Sequence, residues 1–436
     1  MTGRQAWPSD AAEIARVLAA SGRPWAWFDG AAAAPGEPRV SYLGVAAGLR
    51  IAESGLEREF LAGLRAAPGG VMAPGLESGW AVALSYEFGL ALLGLDPISG
   101  IAADPAPPAL ALRLDGVLAI DHERGTVEAR GDTAQLAALL DSCASSDRAV
   151  HACAGEHAGA WRRSDAEYAA EVEACRSAIR DGDAYVLCLT DTAQASGDFD
   201  PLDLYLRLRE SGGAVRGGVI VAGERALVSA SPERFLSVRG QRIFTHPIKG
   251  TRPRGTTPKT DNALAAQLAN DPKERAENLM IVDLMRNDLS RVCATGTVAV
   301  EGFLRVETHP HVHQLVSTIS GELRAGHDIF DAIAACFPGG SMTGAPKRRA
   351  VEILRALEGG PRGLYSGCFG WIADSGDAEL AMTIRSIELR GSAGKGVALV
   401  GAGGGVTADS DPHRETAEKH LKAAPVLAAL ASCATA

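Results

Sequence analysis

Several features that define other classes of protein are missing from this sequence of 436 residues. No apolar run approaches the roughly 20 residues that span a bilayer, and the N-terminus lacks the apolar core of a signal peptide. An excess of basic residues is also missing, since the formal net charge is −10. These absences argue against a membrane protein and against a nucleic-acid or anionic-membrane partner.

Paired cysteines are missing as well. The eight cysteines are scattered from Cys143 to Cys433, with no C-x-x-C and no paired spacing. This usage is typical of reduced thiols buried as small apolar residues, and it predicts a cytoplasmic enzyme. Hydrophobic residues make up 46% and charged residues 22% of the chain, which is the composition of a globular protein.

Strand and helix signals alternate along the chain, and we predict a first region over 1–160 and a catalytic domain over 161–436. A capping box at Ser164–Glu167 predicts a helix to about Arg180. Asp-Pro pairs predict two further helices, one from Asp271 to about Asn287 and one from Asp411 to about Ala424, where Pro425 should end or kink it. Three apolar segments over 365–406 predict an antiparallel meander. The predicted class is α+β of mixed α/β type, with large, mainly antiparallel sheets and helices packed outside.

The two Asp-Pro helices each carry a pair of glutamates at i, i+3 spacing, which places both carboxylates of a pair on one helix face. The pairs are Glu274 with Glu277, and Glu415 with Glu418. The run "ENLMIVDLM" around Glu277 is apolar, and a buried carboxylate needs a compensating cation. If the pairs converge they suit Mg²⁺, which prefers oxygen ligands. The alternative is solvated surface charge, with Glu418 pairing with Lys422 at i, i+4.

Two glycine-rich stretches resemble phosphate-binding loops without matching them. In "GGSMTGAPKR" (339–348) the lysine comes too late to reach bound phosphates, which excludes ATP or GTP in that loop. In "GAGGGV" (401–406) Val406 replaces the third glycine of a dinucleotide fingerprint, and no helix follows at once. These glycines still predict a backbone that a ligand can approach closely.

Seven segments occur in the order seen in chorismate-utilising enzymes, and the chain is identified as a member of that family. The resemblance is strong over about 165–430 and weak over the first 160 residues. The segments are "SPERF" (231–235), "PIKGTRPRG" (247–255), "AENLMIVDLMRNDLSRV" (276–292), "FPGGSMTGAPKRRAVEIL" (337–354), "YSGCFGW" (365–371), "TIRSIEL" (383–389) and "GAGGGVTADSDP" (401–412).

The resemblance implies a Mg²⁺-dependent enzyme that acts on chorismate, in a fold of two large antiparallel sheets packed as a sandwich with surrounding helices. Glu277 and Glu418 resemble direct Mg²⁺ ligands, and Glu274 and Glu415 resemble an outer pair that acts through water. The residues that resemble substrate contacts are Arg385, Tyr365, Lys422 and the Gly403, Gly404 and Gly405 backbone for the carboxylates, and Gly250 and Thr251 for the ring. For each of these side chains a packing or surface role is the alternative.

Lys249, in "PIKGT", distinguishes between members of the family. Anthranilate synthases have alanine there, whereas aminodeoxychorismate synthases component I typically have lysine, so the chain most resembles the latter. A neutral ε-amine could attack C2 of chorismate and expel the C4 hydroxyl, after which ammonia attacks C4. Glu233, in "SPERF", resembles the acid–base group for both steps. A salt-bridged lysine at a strand end is the structural alternative.

Two further positions bear on the reaction. Isochorismate and salicylate synthases have a lysine where this chain has Val186, which cannot activate water. Gln314, preceded by His313, stands where many relatives have histidine, and this change weakens a pyruvate-eliminating reaction. Nothing in the chain resembles glutaminase motifs, so the resemblance implies a glutamine amidotransferase subunit that supplies ammonia within a heterodimer.

The predicted reaction is the conversion of chorismate and ammonia into 4-amino-4-deoxychorismate, the precursor of 4-aminobenzoate for folate. Within the same family, the alternative is the large subunit of anthranilate synthase, which aminates C2 and releases pyruvate. A non-catalytic, chorismate-binding regulatory subunit is the alternative from another class. It would not need Glu233 and Lys249 together.

Overall fold

The structure is a computed structural model that describes residues 7–34, 36–65, 74–95, 103–143, 159–212, 214–309, 312–391 and 396–431. These residues form eleven α-helices. The helices are α1 (Ala11–Ala20), α2 (Glu57–Leu64), α3 (Tyr86–Leu92), α4 (Ala134–Cys143), α5 (Asp165–Arg180), α6 (Pro201–Glu210), α7 (Pro258–Asn270), α8 (Pro272–Ser290), α9 (Ile329–Cys336), α10 (Lys347–Glu358) and α11 (Pro412–Ala431).

The same residues form two sheets. The strands of the first sheet are β1 (Trp25–Asp29), β2 (Val40–Val45), β6 (Gly116–Asp121), β7 (Thr126–Gly131), β8 (Ala160–Trp161), β9 (Val186–Gly197), β10 (Arg216–Ala222), β11 (Arg225–Ser231), β17 (Gly344–Ala345), β20 (Ser386–Arg390) and β21 (Gly396–Val406). Those of the second are β3 (Gly48–Ile51), β4 (Gly79–Leu84), β5 (Ala109–Leu114), β12 (Arg234–Arg239), β13 (Arg242–His246), β14 (Ile248–Pro253), β15 (Ala299–Thr308), β16 (Val312–Glu322), β18 (Cys368–Ala373) and β19 (Ala378–Met382).

All strand pairs within the described ranges are antiparallel. The order in the first sheet is β17-β9-β21-β20-β11-β10-β1-β2-β6-β7, and in the second it is β14-β16-β13-β12-β19-β18-β4-β5-β3, with β8 and β15 paired off these paths. Strands from the first 160 residues join both sheets. The predicted boundary between residues 160 and 161 stays a prediction, whereas the predicted α+β class with two large antiparallel sheets is confirmed.

Side-chain alternation along the strands builds the sandwich. In β4, Ala81 and Ala83 face a core shared with the first sheet, whereas Val82 and Leu84 face α2, α3, α8 and α9. On the first sheet, Trp27 belongs to an outer core that includes α1, α6 and α11. The sheets therefore pack face to face, and the helices cover their outer surfaces.

The predicted helix starts are confirmed. Ser164 and Glu167 form the capping box of α5. Asp271 caps α8 by accepting hydrogen bonds from the backbone N–H groups of Lys273 and Glu274. None of the helices in the described ranges is long and apolar enough to cross a membrane.

Two predictions about the C-terminal third are wrong. The helix does not end near Ala424, since α11 continues past Pro425 to Ala431, whereas the alternative of a kink at Pro425 stays a prediction. Val426 and Leu430 are buried against the first sheet, and this packing keeps the chain helical beyond the proline. The predicted meander is also wrong, because β18 and β19 pair in one sheet whereas β20 and β21 pair in the other. The chain crosses between the sheets at Arg385, whose φ of 53° is left-handed.

Candidate active site

The glycines of β21 bring the two glutamate-bearing helices together. A Cβ atom at Gly404 would lie 3.2 Å from Glu415 Oε2 and 3.5 Å from Glu418 Oε1. A Cβ atom at Gly405 would lie 3.6 Å from Glu277 Oε2 and 3.8 Å from Lys249 Nζ. A side chain at either position would enter the space between the charged groups, which glycine leaves open.

An unpaired edge of β21 accounts for the position of the charged groups beside Gly404 and Gly405. β20 pairs with Val397–Val400 of β21 only, whereas β9 pairs with the whole length of β21 from Gly396 to Val406. Within the described ranges, no strand covers the other edge of β21 after Val400. Lys422 uses this edge, since its Nζ donates to the carbonyl of Gly403 at 2.9 Å. The glycine-rich segment is therefore a strand with one accessible backbone edge, which agrees with the rejection of a dinucleotide fingerprint.

Two lysines hold the carboxylates in place. Lys273 Nζ lies 3.7 Å from Glu277 Oε1 and 3.4 Å from Glu415 Oε1, so this ammonium links α8 to α11. Lys422 Nζ lies 2.6 Å from Glu418 Oε1. The i, i+4 pair offered as the surface alternative for Glu418 is thus present, but it lies beside β21 rather than away from the site.

Glu274 borders the same space from the side of β14. Its Oε1 lies 3.3 Å from Arg252 Nη1, and a Cβ atom at Gly250 would lie 3.0 Å from its Oε2. Gly250 has a φ of 91°, which a side chain would strain. Its neighbour Thr251 is exposed.

The carboxylates of α8 and α11 are oxygen ligands of the kind that a divalent cation binds. Within the described ranges, no three His, Cys, Asp or Glu side chains are close enough together to hold one. Glu415 Oε2 is nevertheless buried without a hydrogen-bond partner among these residues, while Ser410 donates to its Oε1 at 2.7 Å. The oxygen donors suit a hard divalent cation, provided that the Lys273 ammonium moves from between them.

Lys249 is partly buried on β14, in the second sheet, and faces Glu277 across Gly405. Burial lowers the pKa of its amine, but the Cys188 thiol and the carboxylates of Glu277, Glu233 and Glu418 outweigh burial, so the pKa lies above its ordinary value. The protein's own charges thus favour the protonated amine, whereas the expectation that burial near Mg²⁺ disfavours it stays a prediction. The amine must lose a proton before it can act as a nucleophile.

The acidic groups around Lys249 differ in their environments. Burial raises the pKa of Glu277, although Lys249 and Lys273 act in the opposite direction. Burial also acts on Glu418, but Lys422 outweighs it and lowers the pKa of that carboxyl. The site thus pairs a carboxyl that resists ionisation with one that is held ionised.

Glu233 lies between β11 and β12 and is 6% exposed. Burial raises the pKa of its carboxyl, while a hydrogen bond with the Ser341 side chain and the charges of Lys249, Lys422 and Arg216 partly offset that effect. A buried carboxyl that keeps its proton to higher pH can donate it to a leaving group. The structure thus brings Glu233 into the electrostatic range of Lys249.

Arg385 and Tyr365 lie at the other end of the site. Arg385 Nη1 donates to the carbonyl of Lys422 at 2.9 Å, and burial lowers the pKa of the guanidinium. The Tyr365 ring packs directly on Gly401, where a Cβ atom would clash with it. A guanidinium so placed at the open edge of β21 can accept a carboxylate ligand in a bidentate manner.

The structure also gives the contacts of Val186, Gln314 and His313, the residues that bear on which reaction the chain catalyses. Val186 is buried, and its side chain contacts the position that a Cβ atom of Gly405 would occupy. Gln314 pairs with Thr251 across β14 and β16. The His313 ring lies 2.8 Å from Asp261 and 2.9 Å from Thr308 Oγ1, so both of its nitrogens are engaged away from the glutamates.

Sequence reasoning missed Ser341 and Lys273. Ser341 lies in the "GGSMTGAPKR" loop, which is part of a family segment but to which the sequence assigns no site residue, and Lys273 lies next to the predicted ligand Glu274. The rejection of that phosphate loop is supported, because Lys347 is buried and donates to Asp288 at 2.6 Å and to the Cys336 carbonyl at 2.7 Å. The signal for Ser341 was its position among buried glycines.

A cavity of about 660 Å³ lies elsewhere between the sheets. Its lining includes Arg216, Arg234, Glu379 and Trp371 but none of the four glutamates on α8 and α11. Several of these charged groups are paired with one another, for example Arg234 with Glu379 at 2.6 Å. We therefore place the candidate chemistry at β21 rather than in this cavity.

Comparison with known proteins gives a family match. Residues 44–428 match the model of a family described as chorismate binding enzyme. Aminodeoxychorismate synthase from Streptomyces griseus is 40% identical over 365 residues, which are 80% of this chain and 49% of that protein. Anthranilate synthase component 1 1 from Halobacterium salinarum is 42% identical over 285 residues, 65% of this chain and 54% of that protein. The chain spans about half the length of these curated relatives.

Solved structures agree with the fold. Anthranilate synthase component I from Streptococcus pneumoniae superposes with a TM-score of 0.78 at 25% identity, covering 90% of this chain and 92% of that one. The menaquinone-specific isochorismate synthase from Escherichia coli superposes with a TM-score of 0.72 at 17% identity, covering 98% and 92%. The second similarity concerns the fold alone.

Proposed function

The chain belongs to the family of chorismate binding enzymes, and from that premise we propose that it aminates chorismate at C4 to give 4-amino-4-deoxychorismate. The observation that carries this proposal is the position of Lys249, whose amine lies beside Gly405 and Glu277. The relatives named aminodeoxychorismate synthase are consistent with it.

Lys249 acts as the nucleophile in the proposed reaction. Once deprotonated, its amine attacks C2, the two conjugated ring double bonds each shift by one bond towards C4, and the C4 hydroxyl leaves as water with a proton from Glu233. Ammonia then attacks C4, both double bonds shift back, and the Lys249 amine leaves C2. Glu233 accepts the proton that the incoming nitrogen loses, so the carboxyl is regenerated for the next turnover.

We propose that the four glutamates hold Mg²⁺, with Glu277 and Glu418 as direct ligands and Glu274 and Glu415 acting through water. When bound, the cation would supply positive charge for a substrate carboxylate and would offset the glutamates that raise the pKa of Lys249. The buried, unsatisfied Oε2 of Glu415 supports this assignment.

Substrate orientation falls to other residues of the chain. Arg385, Tyr365, Lys422 and the backbone of Gly403–Gly405 are proposed to bind the carboxylates of chorismate, and Gly250 and Thr251 to border its ring. The buried Val186 side chain lines the same space and excludes a water-activating base there. We further propose that ammonia comes from a glutamine amidotransferase subunit in a heterodimer.

The test uses the purified protein with chorismate, MgCl₂ and ¹⁵N-labelled ammonium. The product is identified by chromatography and mass spectrometry before and after addition of an aminodeoxychorismate lyase. We expect labelled 4-aminobenzoate only after the lyase is added. Release of pyruvate with labelled anthranilate from the synthase alone would replace the proposal by anthranilate synthesis, and binding of chorismate without any product would indicate a regulatory subunit.

Lys249→Ala should remove this activity and keep chorismate binding, measured by calorimetry. The exposed Lys259 provides a matched control, because Lys259→Ala removes an amine from α7. Normal amination by Lys249→Ala would exclude the nucleophile role.

A further inference from the structure

A buried guanidinium lies behind the candidate active site. Arg362 is 3% exposed. Its Nε and Nη2 donate to the two carboxylate oxygens of Glu358 at 2.8 and 2.7 Å. The same side chain donates to the Met342 carbonyl at 2.8 Å, to Ser366 Oγ at 3.1 Å and to the Cys188 carbonyl at 2.9 Å. Its donors are thus distributed over four segments of the chain.

Three of these acceptors are adjacent to candidate site residues. Met342 follows Ser341, which forms the hydrogen bond to Glu233. Cys188 pairs with Gly405 across β9 and β21, and it is among the groups that raise the pKa of Lys249. Ser366 follows Tyr365 directly. One side chain therefore connects two segments that lie beside the proposed acid–base group and nucleophile with the segment that carries Tyr365, a proposed carboxylate contact.

The arginine is itself anchored from several elements. Glu87 on α3 accepts hydrogen bonds from the backbone N–H groups of Arg362 and Gly363 at 2.9 and 3.1 Å. The guanidinium stacks on the Tyr86 ring at 4.1 Å. Glu358 Oε1 also accepts from Thr190 N and Oγ1, both at 2.9 Å, which ties α10 to β9. The planar fork has little freedom to move.

We propose that Arg362 is a positioning residue that sets the distance of the Ser341 loop and of β9 from the reacting groups, an inference that rests on the proposed function. Only a guanidinium offers enough donors, in a fixed plane, for a carboxylate, two carbonyls and a hydroxyl at once. A lysine would keep the charge, but its three donors would leave at least one of these four acceptor groups unpaired and would not hold the others in one plane. The loop would then move relative to Glu233.

A merely structural role predicts a different result from a positioning role. The hydrogen bond from Ser341 lowers the pKa of Glu233, whose other charged neighbours are Lys249, Lys422 and Arg216. If the loop moves, that hydrogen bond weakens, and the limb of the pH profile that Glu233 controls shifts to higher pH. Loss of stability alone would leave the limb in place.

The experiment measures kcat, KM for chorismate and the pH profile of kcat/KM for ammonia-dependent amination by the wild type, Arg362→Lys, Ser341→Ala and the double variant. We expect Arg362→Lys to lower kcat about tenfold or more, in the range found for misplaced catalytic groups, with little change in KM. Its pH limb should shift upward as in Ser341→Ala, and the double variant should shift no further because both changes act on one hydrogen bond.

Arg113→Lys is the matched control. Arg113 lies on β5, away from the glutamates of α8 and α11. It forms a bidentate pair with Asp374, with both N–O distances 2.6 Å. We expect its kcat and pH limb to equal those of the wild type. If Arg362→Lys behaves like Arg113→Lys, this inference is overturned and the proposed function stands. If the wild type does not aminate chorismate, the proposed function is overturned and this inference with it.

Glu358→Gln covers the case in which Arg362→Lys does not fold. The amide keeps an acceptor for Arg362 and Thr190 but weakens the pair that holds the guanidinium. We expect a smaller fall in kcat and a limb shift in the same direction. A wild-type kcat and limb in this variant would contradict the positioning role.

Discussion

The Glu233 carboxyl can be replaced with little change in shape, so its variant isolates the proton-transfer step. In Glu233→Gln the amide oxygen can still accept the Ser341 hydrogen bond. A positioned acid–base group contributes about 10²- to 10⁴-fold to the rate. At about 1.4 kcal/mol per tenfold, the variant should lose about 3 to 5 kcal/mol of transition-state stabilisation. KM for chorismate should change little, since Glu233 is proposed to bind no part of the ground-state substrate.

The same substitution should stabilise the folded protein in a pH-dependent way. Burial raises the pKa of Glu233 above the ordinary 4.5, so the folded state binds this proton more tightly than the unfolded state does. As pH rises through the unfolded pKa towards the folded pKa, the wild type therefore loses stability, because a charge must be held in a buried site. Glutamine carries no charge. The advantage of Glu233→Gln in free energy of unfolding should thus be nil at low pH, grow as pH rises and then level off.

The assay combines steady-state kinetics with thermal unfolding over one pH series. Amination of chorismate by ammonium gives kcat and KM, and calorimetry without substrate gives the midpoint of unfolding. Glu352→Gln on the solvent-facing side of α10 is the control, since that carboxylate is paired with Arg348 and Arg349 at a partly exposed position. It should change neither quantity.

Each of three results would refute part of this reasoning. Wild-type kcat for Glu233→Gln across the pH series would remove the acid–base role. A variant that is less stable than the wild type at neutral pH would show that the Glu233 charge is on balance favourable where it lies, against the effect of burial. A rate loss with unchanged stability would preserve the catalytic role and reject the electrostatic argument.

Three further predictions concern the surroundings of the site. Lys347→Met leaves the Asp288 carboxylate buried without its partner. It should lower the free energy of unfolding, measured with urea, by about 3 to 5 kcal/mol. Unchanged stability would show that the pair of Lys347 and Asp288 is not needed for folding. Mg²⁺ should raise the unfolding temperature of both the wild type and Lys249→Ala, because the lysine is not a proposed ligand. No shift at any concentration would argue against the metal site. Lys273→Met should lower that temperature without Mg²⁺ and bind Mg²⁺ more tightly in calorimetry, since its ammonium links two of the glutamates; weaker binding would mean that Lys273 supports the cation.

Features that depend on neighbours in the chain could be predicted from the sequence. The N-caps at Ser164 and Asp271 were identified correctly because a cap acts on N–H groups two or three residues away. The i, i+3 spacing correctly placed Glu415 and Glu418 on one face, since both border Gly404. The order of seven segments was enough for the family, which the match over residues 44–428 confirms.

Features that depend on distant segments could not be predicted in this way. Alternating apolar residues define a strand but not its partner, so the three segments over 365–406 were expected in one meander although they divide between two sheets. Proline in a helix is unfavourable locally, yet burial of Val426 and Leu430 outweighs that cost in α11.

The charge of Lys249 illustrates the same division. From the sequence, burial near Mg²⁺ is expected to disfavour the protonated form of this amine. The fold adds Cys188 and the carboxylates of Glu277, Glu233 and Glu418 from other segments, and together these reverse the direction of the pKa shift. Chain-local chemistry thus determined which groups the protein possesses and where its helices begin. Only the packing of remote segments decided which charges meet, because electrostatic and packing energies depend on distances in space rather than along the chain.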